Sequence, residues 1–217
     1  MKKNFNGKFL LSSLLLMIGL LIQNPSQAQR KRVTRIDCDG VPVRVGFDIS
    51  GFHGVETKKI IDVVLIPSDE EKVEVEMWPA FQEFLKVEKK NGVLCFDLRS
   101  MERLETTGTC HLTAYVHFTD LRSIAASEAA DVSMKGVYDA GGNAEMLNMQ
   151  TTGSADVRMG DFSVLRFVGT SSGASSLKIR VTDSFRAEAS GSAEVYVAGS
   201  PKTTDFSTSG ASAIKIR

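Results

Sequence analysis

One short phrase recurs five times in the second half of this chain, at 127–134, 152–159, 172–179, 190–197 and 209–216. The second copy reads Thr-Gly-Ser-Ala-Asp-Val-Arg-Met, and the shared template is hydroxyl, Gly, small, small, any, apolar, any, apolar. Its second positions (128, 153, 173, 191 and 210) lie 25, 20, 18 and 19 residues apart. A period near 20 marks stacked repeats, in which one unit cannot bury its apolar face without its neighbours. The apolar–any–apolar ending is the alternation of a strand with one buried face. Val157 and Met159 should therefore point inward, with Asp156 and Arg158 outward. The Gly suits a bent corner with positive φ, and the small pair after it keeps that corner thin enough for strands to stack about 4.8 Å apart.

Two other repeat architectures fail on composition. A leucine-rich repeat has a similar period, but its consensus is missing here. Helical repeats need longer periods and good helix formers, whereas Gly, Ser and Thr crowd this region. The pattern predicts an all-β, single-domain, right-handed parallel β-helix with Gly/Ser/Ala corners.

Residues 1–28 read as a secretory signal peptide. Lys2, Lys3 and Lys8 form a basic start, 10–22 is apolar, and Ser26-Gln27-Ala28 is a small–any–small cleavage site. The apolar run is too short to span a bilayer, so an uncleaved anchor is the lesser reading. Cys38 lies too far downstream to be a lipidation site. The whole chain carries 26 basic and 26 acidic residues. The leader holds three of the bases and no acid, which leaves residues 29–217 with a net charge of −3. That balance argues against nucleic acid or an anionic membrane as partner, and the length suits one domain over 29–217.

The first half of the mature chain is strand-like without repeating. Val41, Val43, Val45 and Phe47 alternate, Pro67-Ser68-Asp69-Glu70 reads as a turn, and Asn91-Gly92 is a strong hairpin signal. The alternation from Cys110 to Phe118 makes a further strand, and Gly141-Gly142-Asn143 reads as a loop in the long first repeat. This half is expected to supply the first coils and a cap.

Phe47, Gly51, Phe52 and Val55 are followed by Ile61-Asp62-Val63-Val64, Val73-Glu74-Val75 and then the Gly-Ala/Ser repeats. In this the chain from Phe47 onward resembles the putative auto-transporter adhesin, head GIN domain family of secreted Gram-negative bacterial proteins. The resemblance implies a β-helical fold, export and an adhesin-type role, and it carries no catalytic residue across. Glu128 departs from the pattern by standing where the other copies have Gly.

Several residues invite a chemical reading. Gly169-Thr170-Ser171-Ser172-Gly173 matches the G-x-S-x-G elbow of α/β-hydrolases, but the elbow needs a strand–turn–helix setting and a His downstream. The last His here is His117, so the match is rejected. His111 and His117 are about 20 Å apart on one strand face, too far to share a metal ion. Asp37-Cys38-Asp39-Gly40 is a Ca²⁺-loop fragment without its later ligands. Cys38, Cys95 and Cys110 allow one disulfide whose pairing the sequence leaves open, with Cys110 reading as a core thiol.

The richest feature is an outward column of Asp131, Asp156, Ser176, Glu194 and Ala213. Stacked acids of this kind can chelate Ca²⁺ or serve a polysaccharide-cleaving β-helix. Arg158 and Lys178 stand two residues along, so a charge-paired, solvated ladder is preferred. The function read from this is an exported, non-enzymatic envelope protein, without cofactor, that binds or adheres to a glycan or an envelope protein. A polysaccharide-active enzyme and a purely structural envelope component are the alternatives. The last coil, Phe206 to Ile216, lacks a cap in this sequence and is expected to self-associate or to dock a partner strand.

Overall fold

Alternating burial explains why the strands lie where they do. The computed structural model describes residues 33–99, 103–108, 110–136 and 144–217. The leader at 1–28 and the loop at 141–143 lie outside the described residues. The first half gives β1 (Val33–Asp37), β2 (Val43–Phe47), β3 (Gly54–Thr57), β4 (Ile61–Pro67) and β5 (Lys72–Met77). After a short 3₁₀ turn at Pro79–Phe81 come β6 (Leu85–Lys90), β7 (Val93–Leu98), β8 (Arg103–Thr107) and β9 (Leu112–Phe118). The second half gives β10 (Ser123–Ala126), β11 (Val132–Met134), β12 (Ala144–Thr151), β13 (Asp156–Ser171) and β14 (Ser176–Ala189). It closes with β15 (Glu194–Ala198), β16 (Thr203–Thr208) and β17 (Ala213–Ile216). Strand β9 is typical: Leu112, Ala114, Val116 and Phe118 are buried, while Thr113, Tyr115 and His117 face out. Val157 and Met159 are fully buried, so the inward register read from the repeats holds.

The right-handed parallel β-helix is corrected by the sheet topology. β1 and β8 form a separate two-stranded sheet, and the other fifteen strands make one mixed sheet. In that sheet β2 runs antiparallel to β5, β5 to β9, and β6 to β7. The sheet curls around a single core in a nearly closed, barrel-like way. The physical cause is in the first half, where tight turns reverse the chain instead of passing it round a coil. Asn91 and Gly92 both take positive φ (+51° and +77°), which joins β6 to β7 as a tight hairpin. The chain also reverses between β4 and β5, so β9 pairs in parallel with β4 on one side and antiparallel with β5 on the other. The repeats form parallel ladders within this sheet, not a solenoid of their own.

The long strands fold from one wall to the other. β13 pairs first with β11 and, after irregular register at Arg158–Ser163, with β12. β14 likewise pairs with β15 at its start and β16 at its end. Inside, the Phe167 and Phe185 rings stack at 5.5 Å, and the exposed Phe206 lies 6.4 Å from Phe185 at the edge of the sheet.

The corners stack directly on one another. Gly191 has φ +74°, and a Cβ there would lie 2.8 Å from the Gly173 carbonyl oxygen of the repeat beneath. Ser192 N–H donates to that same oxygen at 2.7 Å. Glu128, the exception in sequence, adopts the same left-handed conformation at φ +67°. Beneath it stands Lys59, also left-handed at φ +66°, whose carbonyl accepts from Ala129 N–H at 3.0 Å. Residues 58–65 are therefore a sixth copy of the repeat, disguised because Lys replaces Gly and Ile60-Ile61 replace the small pair.

Cys110 is not a core thiol. It forms a disulfide with Cys38, tying the end of β1 to the approach to β9, and Cys95 is the free cysteine of the three.

Candidate functional site

The outward column is longer than the repeats imply. The pairing of β4, β11, β13, β14, β15 and β17 lines up Asp62, Asp131, Asp156, Ser176, Glu194 and Ala213. Asp62 was the member that sequence reasoning missed, because the copy at 58–65 lacks its Gly; the Asp-Val-Val-Leu ending was the available signal. The carboxylates do structural work along this line. Asp62 Oδ1 accepts the Asp131 N–H at 3.0 Å, and Asp131 Oδ1 accepts the Asp156 N–H at 3.0 Å. Asp62 and Asp131 thereby each cap the backbone of the next strand in the stack. Half burial pushes the Asp62 carboxyl above the usual Asp range, and the neighbouring Asp131 charge pushes the same way against the stabilising N–H.

Two residues along, a second column carries Arg158, Lys178, Tyr196 and Lys215 on adjacent strands. Arg158 pairs with Asp156 and comes within 4.0 Å of Asp131. Glu194 accepts the Tyr196 hydroxyl at 2.5 Å and has Lys215 at 3.9 Å. The Tyr196 ring lies between two ammonium groups, Lys178 at 5.6 Å and Lys215 at 4.9 Å from its centroid. Beside this row, the small residues Gly160 and Ala198 leave a cleft of about 420 Å³. The five residues singled out from sequence, Asp131, Asp156, Glu194, Arg158 and Lys178, thus share one face, as two parallel lines of opposite charge.

A second groove, of about 460 Å³, lies where outward residues of β3, β10, β12 and β13 are small or polar, including Glu56, Ser123, Ala125, Asn148, Gln150 and Thr170. Lys58 bonds to Glu56 and holds its carboxyl below the usual range. Burial, reinforced by Glu56, pushes the Cys95 thiol up to about 11, so it stays protonated and unreactive at neutral pH.

The other chemical readings find no support in the geometry. Ser171 of the G-x-S-x-G match is buried at a corner, within 2.8 Å of the Thr151 and Ser175 hydroxyls, and is no exposed nucleophile. Among the described residues no group of three or more His, Cys, Asp or Glu is placed to hold a metal ion.

These features define the class: an all-β protein with a repeat-built, two-column charged face. The model of the putative auto-transporter adhesin, head GIN domain family matches residues 51–141 and 131–201, and the chain belongs to that family. No curated protein matches the sequence. The crystal structure of a putative adhesin from Bacteroides fragilis NCTC 9343 is similar at 15% identity and a TM-score of 0.53, covering 84% of this chain and all of that one. A putative lipid binding protein from Parabacteroides distasonis ATCC 8503 is similar at 14% identity and a TM-score of 0.47, covering 85% of this chain and all of that one. No helix among the described residues is long and apolar enough to cross a membrane.

Proposed function

We propose that this chain is an exported, non-enzymatic binding protein of the cell envelope. It acts as one domain over 29–217 and attaches to a glycan or an envelope protein through the face that carries Asp131, Asp156, Arg158, Lys178 and Glu194. The carrying observation is that these acids lie along one line, side by side on adjacent strands, each with a carboxylate oxygen engaged by a backbone N–H, Arg158, Tyr196 or Lys215. A glycosidase instead needs two carboxyl groups opposed across a sugar, one giving a proton while the other attacks or activates water. Flat, repeated surfaces of stacked units suit extended partners. The leader-like sequence at 1–28 and the adhesin family support export and attachment.

Incubating the chain with an array of glycans and envelope proteins tests this. At least one surface should retain the protein, and retention should fall in Arg158→Glu. Silence on every surface removes the binding reading. Turnover of any polymer by the wild type that vanishes in Asp156→Asn overturns the non-enzymatic part.

A further inference from the structure

We infer that the cleft beside Tyr196 takes an acidic polysaccharide, one carrying carboxylate or sulfate groups on its sugars; this deepens the binding reading and rests on it. The first support is charge. Arg158 is matched by Asp156, and Lys215 approaches Glu194. Lys178 is exposed and, among the described residues, has no carboxylate partner. Its contact is the Tyr196 ring, so a surplus cation is held at the cleft by an aromatic face and not by an acid.

The second support is arrangement. Tyr196 sits between Lys178 and Lys215, and cation–π attraction keeps both ammonium groups beside the small-residue depression at Gly160 and Ala198. Adjacent strands are about 4.8 Å apart, so the lysines stand roughly 10 Å from each other across the ring. An anionic chain lying across the strands meets a basic residue at β13, β14 and β17 in turn. Tyr196 acts here as a positioning residue.

The third support separates an acidic sugar from other anions. The column of Asp156 and Glu194 runs two residues away along the strands, about 6.6 Å from the basic row. A ligand must satisfy both lines, offering negative charge to Lys178 and hydroxyl donors to the carboxylates. A sugar ring bearing one acidic group and several hydroxyls does so. A bare phosphate headgroup meets the acids with repulsion alone. The net charge of −3 over 29–217 gives no long-range pull on polyanions, which makes recognition depend on this local pattern.

Binding of the full chain to polygalacturonate, dextran sulfate, neutral dextran and phosphatidic acid vesicles tests the assignment, at low and at physiological salt. At least one acidic polymer should bind, more weakly as salt rises, while neutral dextran should not. Lys178→Glu should weaken binding by about tenfold or more, since like charges across an interface are strongly unfavourable. Tyr196→Leu should weaken it while leaving the melting temperature nearly unchanged. Lys178→Gln, which removes charge without adding repulsion, should fall between wild type and Lys178→Glu. Lys86→Glu on β6 should have no effect. Equal loss in Lys86→Glu, or vesicle binding in place of polymer binding, overturns the assignment. Failure of both acidic polymers overturns it too, and if the array still retains the protein the broader binding reading stands; silence everywhere removes both.

Discussion

Replacing Gly191 by Val should cost far more stability than its exposed, loop-like position suggests. Gly191 holds φ +74°, a region where a β-branched residue is a true outlier. That strain is worth about 1–3 kcal/mol. The new Cβ would also stand 2.8 Å from the Gly173 carbonyl oxygen and 3.1 Å from its nitrogen. These are backbone atoms, and the same oxygen accepts the Ser192 N–H at 2.7 Å, so moving away weakens a rung worth about 1 kcal/mol. Together the loss is about 2–4 kcal/mol, or on the order of 5–15 °C in Tm for a domain of this size. Glu194→Val, three residues on, touches only the exposed contacts to Tyr196 and Lys215 and should stay within about 0.5 kcal/mol. Urea unfolding of both variants, with m-values checked for equality, measures the difference. Equal midpoints for the two would mean that the corner is not a close stack of backbones. Gly191→Ala should be intermediate, since it keeps the Cβ contact without branching.

Four further outcomes follow from the same packing. Phe185→Ala, in the centre of the ring stack, should lose about 3–5 kcal/mol in urea unfolding; a loss below 1 kcal/mol would mean the stack carries little. Cys38→Ser opens a bridge with a sequence separation of 72 and should lower stability by up to about 4 kcal/mol, the same drop that reductant produces in the wild type; a smaller loss under reductant than on substitution would point to a packing effect. Asp62→Asn keeps an oxygen for the Asp131 N–H, so it tests the raised carboxyl pKa alone. The folded pKa lies above the unfolded one, so wild type gains stability as pH falls through it; the variant should match wild type in acid and exceed it at neutral pH, and a less stable variant at neutral pH would contradict this. In the described residues β16 pairs only with β14 and β17 only with β15, and Phe206 is 48% exposed. The protein should therefore self-associate in sedimentation at micromolar concentration and lose this in Ile214→Pro; a strictly monomeric wild type would refute it.

The repeats made inward and outward faces legible because side-chain alternation is a local property. Val157 and Met159 are buried where the pattern put them, and Asp156, Arg158 and Lys178 face out. What the repeat could not convey was how the first half joins it. Strand direction depends on which partner a strand meets, and β5 and β9 read alike whether parallel or antiparallel. Asn91-Gly92 signals one reversal, between β6 and β7, but a hairpin fixes only the two strands it joins and not how they meet the repeats. Asp62 is hidden in the sequence because its corner lacks the Gly that marks the repeat, while the backbone there accepts Lys59 and Glu128 at positive φ. The Cys38–Cys110 bridge depends on β1 lying beside β8, a contact across 70 residues that alternation does not encode.

The two columns on the ladder face divide structure from recognition. An acid at the first position can reach the N–H of the next strand, because its short side chain lies almost against the backbone. Asp does this in the copies beginning at 58 and 127; in the copy at 152 the Ser176 N–H is taken by the Ala155 carbonyl and Asp156 turns to Arg158, and by the copy at 209 the position is Ala213, with no loss of strand pairing. The capping is thus helpful but dispensable, worth about 1–3 kcal/mol per bond to a carboxylate. The second position has no such backbone duty. Arg158, Lys178, Tyr196 and Lys215 extend away from the sheet, and their contacts are to one another or to the acids beside them. A change there should leave the fold intact while altering what the face attracts. Charge reversal along the acid column should act on folding first. Comparing the melting temperature and ligand retention of Asp131→Lys with those of Lys178→Glu puts that division to the test. Larger melting loss in Lys178→Glu than in Asp131→Lys would assign the duties the other way round.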